Sequence, residues 1–492
     1  MSDRTVGKGA NSSVVAKAGT WYTICNFLFR GMAFITTPIF ARILSKVELG
    51  DFNNFASWLT ILIVLTALDV QMSIIRSKLE VGDDMDSYIW SILSMTTMIT
   101  VAAYGVVMLF PTFFSNLLLI EPRHFHLLFL YLLFTPAYSM LITKQRAYYK
   151  YKMFVLLTGI CLVTSTLCSL VLVLLMEDKL TGRMYGFYIP QIVMGAVIYV
   201  YLLIKGKKIQ TKYWKYACAI CLPLVPHVLS LHLLCSSDKI IIKRISGSEY
   251  AAVYGIAYSC YHIVTILFDS MNKAFAPWLL ESLHHEKYGD IRKVSKIYVG
   301  IFLVLSIGVL MLVPELILIL GGKKYAEANY CLPPLIASCV FQFIYTMYVN
   351  VEFYEKKTIG VACATMIATA VNIILNFIFI PMYPEKGFVI AAYTTLVGYA
   401  LLFVLHYFLV RRMKKAFVFD TKFMIAVQGL ALAVSFVMNL FYGKSLSIRV
   451  IRYALVTVYG SAVLYVAFRN KDRIIALFKQ KKKKKEPAPQ EA

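Results

Sequence analysis

Long apolar runs dominate the sequence and recur from near its N-terminus almost to its C-terminus. Many of them exceed the roughly 18 residues that mark a helix able to cross a bilayer. Charged residues make up only 15% of the chain and are clustered between the runs. Ordinary soluble proteins are about 45–50% apolar, and a soluble core could not bury all these segments. The pattern therefore predicts an all-α polytopic membrane protein.

The lengths of the runs predict about 14 transmembrane helices. The predicted spans are 18–40, 52–75, 88–110, 124–143, 153–175, 184–204, 216–237, 250–278, 296–320, 331–353, 358–380, 387–410, 422–442 and 451–468. The first run is too long for a signal peptide and lacks a small-residue cleavage site, so we expect it to be retained as a helix.

The distribution of basic residues predicts the orientation. With the N-terminus in the cytoplasm, about 34 Lys and Arg residues lie inside and about 14 lie outside, which satisfies the positive-inside rule. An even number of spans returns the C-terminus and its QKKKKK tail to the cytoplasm. We expect this tail to bind anionic lipid rather than nucleic acid, because each basic residue near such a surface gains about 1 kcal/mol.

A weak internal repeat divides the chain. RILSKVELGDF (42–52) and RISGSEYAAVY (244–254) align without gaps. Six spans precede the seventh, so both halves have the same orientation, as in transporters built from parallel repeats. The predicted units are a six-helix lobe (1–204), a basic cytoplasmic linker (205–215), a second six-helix lobe (216–415), an added helix pair (416–468) and a basic cytoplasmic tail (469–492).

Ionisable residues within the predicted spans are candidate functional groups, because exposing them to lipid is costly. Arg30 lies in the middle of the first span, in NFLFRGMAF. Its partner is either a ligand or another helix, for instance through Asp69. Asp69 lies near the cytoplasmic end of the second span, where it either couples a proton or sodium ion or forms a structural pair.

Asp269 and Lys273 lie four residues apart in the eighth span, which places them on one face of a helix. They either neutralise each other or face a wet cavity, where Lys273 would present an ammonium group to an anion. Arg30 and Lys273 are the only Lys or Arg residues that we expect inside the spans.

The seventh span has two prolines near its start, Pro223 and Pro226, which predict a kink or break in its first turns. His227 and His232 follow in the same span. Each is either a structural histidine or a group that lines a cavity or takes part in coupling.

Four further charged residues lie at predicted span ends. We expect Asp238 and Lys239 to be solvated near the outer interface, and Glu315 and Glu352 to be boundary residues rather than ligands.

Several classes of function find no support in the sequence. It contains no GxxxxGK[ST], HExxH or GxSxG motif, and no loop is long enough for a catalytic domain. We therefore predict neither an enzyme nor a metal site, and no cofactor beyond a coupling ion, H⁺ or Na⁺.

Two stretches carry a family resemblance. LPLVPHVLSLHLLCSSDKIIIKRISGSEYAAVYGIAYS, followed by MNKAFAPWLLE, resembles the second lobe of polysaccharide-repeat-unit flippases, and FITTPIFARILSKVELGDFNNF resembles their first lobe. These proteins belong to the multidrug/oligosaccharidyl-lipid/polysaccharide exporter superfamily. The resemblance implies two six-helix bundles around a central cavity that opens alternately to each side of a bacterial inner membrane.

The resemblance also implies a substrate, an oligosaccharide carried on a polyprenyl diphosphate, and as partners membrane lipids and the polysaccharide polymerase and export machinery. The diphosphate requires cations, a role for which Arg30 and Lys273 are candidates. Asp69, Asp269, His227 and His232 are candidates for coupling or for lining the cavity. A peptidoglycan-precursor lipid flippase, a multidrug or toxin cation antiporter and a membrane polymerase or ligase are the alternatives.

Overall fold

The computed structural model describes residues 21, 31–32, 34–443 and 445–469, and this part of the chain is helical with no strand. Thirteen of its helices are long and apolar enough to cross a membrane. They correspond to the second through fourteenth predicted spans. The described part of the first span includes a short apolar helix, Phe34–Ile43. The prediction of an all-α polytopic membrane fold is confirmed.

The helices are numbered in chain order. They are α1 Phe34–Ile43, α2 Lys46–Ala67, α3 Ser73–Glu80, α4 Met85–Leu109, α5 Pro111–Leu118, α6 Phe125–Ala147, α7 Tyr151–Leu175, α8 Lys179–Gly206, α9 Thr211–Cys221, α10 Val225–Ile245, α11 Ser248–His284, α12 Tyr288–Met311, α13 Val313–Leu320, α14 Leu332–Tyr354, α15 Thr358–Phe379, α16 Gly387–Arg412, α17 Thr421–Leu440 and α18 Leu446–Arg469. Short 3₁₀ turns cover Val70–Met72, Gly82–Asp84, Pro122–His124, Lys323–Cys331, Ile380–Met382, Pro384–Lys386 and Ala416–Val418.

The long helices pack as two lobes. In the first lobe α8 packs against α4, α6 and α7, and in the second α16 packs against α14 and α15. The lobes meet where α2 lies against α10 and α11. Buried apolar side chains form one large cluster, mostly in the second lobe, and two smaller clusters in the first. The large cluster also includes Phe40, Leu49 and Val173 of the first lobe, so it continues across the contact between the lobes.

Helix α2 begins and ends with local signals. Ser45 and Glu48 form a reciprocal capping box, with hydrogen bonds of 3.2 and 2.7 Å to each other's backbone N–H groups. At the other end, Leu68 and Asp69 both have a φ of 49°, in the left-handed region. A helix cannot continue through this conformation, so α2 ends at Ala67, earlier than the predicted end of the span at 75.

The predicted break near Pro223 and Pro226 is confirmed. Residues 222–224 form a turn between α9 and α10, and Pro226 lies in the first turn of α10, where the missing N–H is tolerated. A membrane crossing takes about 20 residues. Since α10 starts only at Val225, it continues to Ile245, beyond the predicted end at 237.

The lobes are joined by hydrogen bonds at one end of the molecule. We call this the latch end; Asp51, Lys243 and Ser248 lie there. The opposite end carries residues 207–210, which connect the two lobes, and we call it the linker end. Helix α9 follows this connection and packs against α4, where the Trp214 indole N–H donates a 2.6 Å hydrogen bond to the Ser91 carbonyl oxygen.

Candidate functional site

A cavity of about 440 Å³ lies between the second lobe and α1. Helix α11 supplies most of its wall, and α1, α10, α13, α14 and α16 contribute single side chains. The polar part of the lining includes Tyr258, Tyr261, His262, Asp269, Gln342 and Tyr399. A volume of several hundred Å³ with a few polar groups in an aromatic lining is typical of small-molecule sites.

The aromatic side chains of this cavity are held by specific contacts. The Tyr261 hydroxyl donates to Oε1 of Gln342 at 3.2 Å. The His262 ring packs edge-on against Tyr258, with ring centroids 4.9 Å apart. The Lys239 ammonium lies 4.5 Å from the centroid of the Tyr258 ring, a cation–π distance. The wall therefore combines hydroxyl, amide and ring groups in fixed positions.

Asp269 lines this cavity and is half-buried. Its role in coupling or substrate contact stays a prediction. Lys273 lies one turn further along α11 and is exposed. In the described lining of the cavity, Asp269 and His262 are the charged or histidine groups, and neither Lys nor Arg is present. Arg30, the other predicted cation, lies outside the described residues.

Asp69 lies apart from this cavity, at the linker end between α2 and the turn Val70–Met72. Its carboxylate accepts a hydrogen bond from the Gln71 side-chain amide. Burial raises the pKa of Asp69 to about 6. The structure therefore does not place Asp69 and Asp269 in one site.

The two histidines of α10 are both partly buried. Nδ1 of His227 is buried without a hydrogen-bond partner in the described part of the chain. His227 is also close enough to His406 on α16 to interact with it electrostatically. His232 lies further along α10, toward Cys235 in the cavity wall.

The prediction that Asp238 is solvated is wrong. Asp238 is completely buried and accepts hydrogen bonds from Tyr254 (2.6 Å), Asn376 (2.7 Å) and Thr395 (2.6 Å). Because α10 begins after the proline break, residue 238 falls inside the helix bundle instead of at its surface. The donors come from α11, α15 and α16, so this one carboxylate on α10 is hydrogen-bonded to three other helices.

The prediction that Arg30 and Lys273 are the only cations in the spans is also wrong. Lys239 lies within α10, half-buried beside Tyr258. Arg183 lies in the first turns of α8 and is 8% exposed, with its guanidinium carbon 3.6 Å from the centroid of the Phe40 ring. Helices α8 and α10 each extend past the predicted span, which brings these residues inside.

Glu352 lies near the end of α14, as predicted, but it is fully buried rather than at a boundary. Its Oε1 lies 2.8 Å from Nδ1 of His406, which is equally buried. Glu315 forms two 2.6 Å hydrogen bonds with the guanidinium of Arg452 on α18. A partner on a distant helix leaves no signal in the local sequence.

The latch end is closed by contacts between the lobes. The Lys243 ammonium lies 2.9 Å from the Asp51 carboxylate, and the Ser248 hydroxyl donates to the same carboxylate at 2.5 Å. The Lys324 ammonium donates to the Leu44 carbonyl oxygen at 2.7 Å. A Cβ added to Gly50 would lie 1.9 Å from the Ser248 carbonyl oxygen, so α2 and α11 touch backbone to backbone here.

Comparison with known proteins assigns a family. A family model described as polysaccharide biosynthesis protein matches residues 15–283, more than half of the chain. A protein of the Lsg locus of Haemophilus influenzae is 24% identical over 195 residues, 37% of this chain and 48% of that protein. The match thus spans about half the length of this relative.

Solved structures share the fold. The lipid II flippase MurJ, in an inward closed conformation, superposes with a TM-score of 0.66 at 16% identity, covering 92% of this chain and 99% of that chain. An inward-facing multidrug resistance transporter of the MATE family, from the MOP superfamily, gives 0.58 at 12% identity, covering 78% and 96%. The expected superfamily fold is confirmed.

Proposed function

The chain belongs to the polysaccharide biosynthesis protein family, and on this premise we propose that it is a flippase for polyprenyl-diphosphate-linked oligosaccharide repeat units. It moves them from the cytoplasmic to the outer leaflet of a bacterial inner membrane by alternating access. The linker end and both termini face the cytoplasm, in agreement with the distribution of basic residues. The reaction changes no covalent bond.

The cavity beside α1 is the main observation that supports this proposal. Its tyrosine, glutamine and serine side chains offer both hydrogen-bonding groups and ring faces, which suit the hydroxyl groups and apolar faces of sugars. The latch end is closed above it by Asp51, Lys243 and Ser248. A substrate would therefore enter from the linker end and leave after the latch contacts separate.

The diphosphate requires cations close to this cavity. Lys273 lies one turn beyond Asp269 on α11, and Lys239 lies behind Tyr258 in the cavity wall. We assign diphosphate binding to Lys273 and Arg30, with Lys239 as an additional positive charge. Because the membrane is negative inside, outward movement of an anion gains roughly 2.3 kcal/mol per charge per 100 mV. Asp269 and Asp69 are the proposed coupling groups for H⁺ or Na⁺.

The test uses cells that lack this protein. Their lipids are extracted, and polyprenyl-diphosphate oligosaccharides are quantified with and without rescue by the wild-type chain, Lys273→Ala, Lys273→Arg and the matched control Lys287→Ala. We expect complete repeat units to accumulate and the wild type, Lys273→Arg and Lys287→Ala to clear them. Lys273→Ala, present at equal level, should clear them poorly.

Other outcomes identify other functions. Accumulation of a peptidoglycan precursor in place of repeat units would replace the proposed substrate with that lipid. Increased sensitivity to cationic drugs without any accumulated lipid would instead indicate a cation antiporter, with Asp269 as its binding group.

A further inference from the structure

Glu352 and His406 form a buried acid–histidine pair in the second lobe, away from the cavity beside α1. Glu352 lies two residues before the end of α14 and His406 lies on α16, and these two helices pack against each other. Oε1 of Glu352 and Nδ1 of His406 are 2.8 Å apart, and both residues are 0% exposed. We call this pair the dyad.

One proton on the dyad balances its buried charge. A buried carboxylate beside a neutral imidazole would leave an uncompensated negative charge, which costs several kcal/mol. One proton makes the pair either carboxylate–imidazolium or carboxylic acid–imidazole. Oε2 of Glu352 and Nε2 of His406 are also buried, without hydrogen-bond partners in the described part of the chain. Pairs that serve only stability normally have such atoms satisfied.

The dyad lies between two cavities. Glu352 lines a second cavity of about 400 Å³ at the linker end, together with Lys357 and Arg412. On the other side, the His406 ring stacks on Tyr345 with centroids 5.4 Å apart, and Tyr345 stacks on Tyr399 at 6.1 Å. Tyr399 lines the cavity beside α1. A rearrangement of these rings would bring the dyad into contact with that cavity.

The charged and titratable groups around the dyad come from several elements. Lys357, before α15, and Arg412, at the end of α16, share the second cavity with Glu352. His227 on α10 interacts electrostatically with His406. Glu355, one turn beyond Glu352, is 3.5 Å from the Lys415 ammonium. The surroundings are thus mainly basic, which favours release of a proton toward the linker end.

We propose that the Glu352–His406 dyad is a proton-binding site of this transporter, which exchanges its proton with water at the linker end while the latch is closed. The direction of coupling rests on the proposed flippase function: a proton enters from outside and leaves to the cytoplasm as substrate moves outward. Only an O–H or N–H bond of the dyad forms or breaks, and the proton passes to or from water.

The first experiment measures proton binding without any substrate. The purified full chain, labelled with ¹⁵N-histidine and placed in lipid nanodiscs, is titrated by NMR. The chain has 8 histidines, and His406→Gln identifies the signal of His406. We expect the His406 ring to convert reversibly between imidazolium and neutral forms in the wild type. Glu352→Gln should alter this conversion, because it removes the carboxylate that faces Nδ1 of the His406 ring.

The controls separate a local effect from misfolding. Glu355→Gln makes the same substitution one turn away at a surface pair and should leave the His406 conversion unchanged. The wild-type titration does not depend on Glu352→Gln, so it stands even if that variant fails to fold. A His406 ring that stays in one form across the pH range, while the signals of other histidines change with pH, would overturn the proposal.

The second experiment measures transport in proteoliposomes. The probe is the polyprenyl-diphosphate oligosaccharide extracted from cells that lack the protein, with a pH gradient imposed at constant membrane potential. We expect the gradient to accelerate flipping several-fold in the wild type, Glu352→Asp and Glu355→Gln, but not in Glu352→Gln.

The two proposals fail in different ways. Wild-type flipping that ignores the pH gradient would overturn the coupling role and leave the flippase function intact. Absence of wild-type flipping would overturn the flippase function, and the NMR titration would still decide whether the dyad binds a proton.

Discussion

Asp238 accepts hydrogen bonds from three other helices of the second lobe. Tyr254, Asn376 and Thr395 all donate to its carboxylate in a site closed to solvent. Asp238→Ala removes the common acceptor and leaves three buried donors without it. Each unsatisfied buried group costs about 1–3 kcal/mol, so we expect a loss of at least about 3 kcal/mol of stability.

Thermal unfolding of the purified protein checks this prediction. Asp290→Asn, at an exposed carboxylate in the first turn of α12, is the matched control and should leave the Tm unchanged. An unchanged Tm in Asp238→Ala would mean that the three donors find other acceptors.

Asp69 should make the folded protein less stable as the pH rises. Burial raises its pKa from 3.8 to about 6, so the folded chain binds this proton more tightly than the unfolded chain. Its contribution is therefore fully present below pH 3.8 and is lost as the pH rises through about 6. Asp69→Asn should raise the Tm above pH 6 and have little effect near pH 4; asparagine also tolerates the left-handed backbone.

The pKa of Asp84 is shifted in the opposite direction, so the same Tm measurement should give the opposite result. Hydrogen bonds, above all from Tyr213, hold the pKa of Asp84 below its usual value. Asp84→Asn should therefore lower the Tm at neutral pH and lose this effect as the pH falls. Parallel Tm curves for Asp69→Asn and wild type across the whole pH range would contradict the prediction for Asp69.

At the residue scale, the sequence indicates best what depends on local causes. The position of Asp269 within a long apolar helix decides its depth, and it lies in the cavity wall. The sequence predicts surface positions for Asp238 and Glu352, because it does not show the partners on other helices that bury them. The pairing of Glu352 with His406 joins residues 54 positions apart, and no spacing rule indicates it.

At the scale of secondary-structure elements, α2 and α11 are in close contact at the latch end. Gly50 lies where these helices meet at the latch end, and a methyl group there would lie 1.9 Å from the backbone oxygen of Ser248. A backbone atom cannot rotate away as a flexible side chain can. Gly50→Ala should therefore separate the latch end and speed hydrogen exchange in residues 46–53 and 248–255.

Hydrogen–deuterium exchange mass spectrometry measures this effect. Gly105→Ala on α4 is the matched control, because an added Cβ there meets no atom within 4 Å. Exchange that is equally slow at the latch end in wild type and Gly50→Ala would show that the two helices can shift apart without opening the latch.

The helices themselves were largely predictable from the sequence, since a run of apolar residues fixes the existence of a membrane helix. The residues at which the helices begin and end were harder to predict. The break before α10 followed from Pro223 and Pro226, whose ring chemistry acts locally. The end of α2 depends on the left-handed conformation of Leu68 and Asp69. Neither residue type demands that conformation, so only the packed structure reveals it.

At the scale of the whole molecule, α18 lies at the periphery of the second lobe, against α12. Only 6% of its most apolar window is buried, in contrast to 50% for α10. Its firmest attachment is Arg452, which is 2% exposed and bound to Glu315 through two hydrogen bonds. The Tyr459 hydroxyl also donates to the Val304 carbonyl oxygen at 2.7 Å. The lobes and the cavity are formed without it.

A chain that ends after Gly443 should therefore still fold and still support transport. It should lose about 1–3 kcal/mol of stability, because Glu315 loses the charged partner that lowers its pKa. Glu315→Gln in the shortened chain should recover part of the lost Tm, whereas Glu315→Gln in the full chain should lower it, since Arg452 would then lack its carboxylate. A chain that ends after Arg469 controls for loss of the basic tail. A shortened chain that keeps its Tm but no longer clears lipid-linked oligosaccharides would show that α18 takes part in the movement of the lobes.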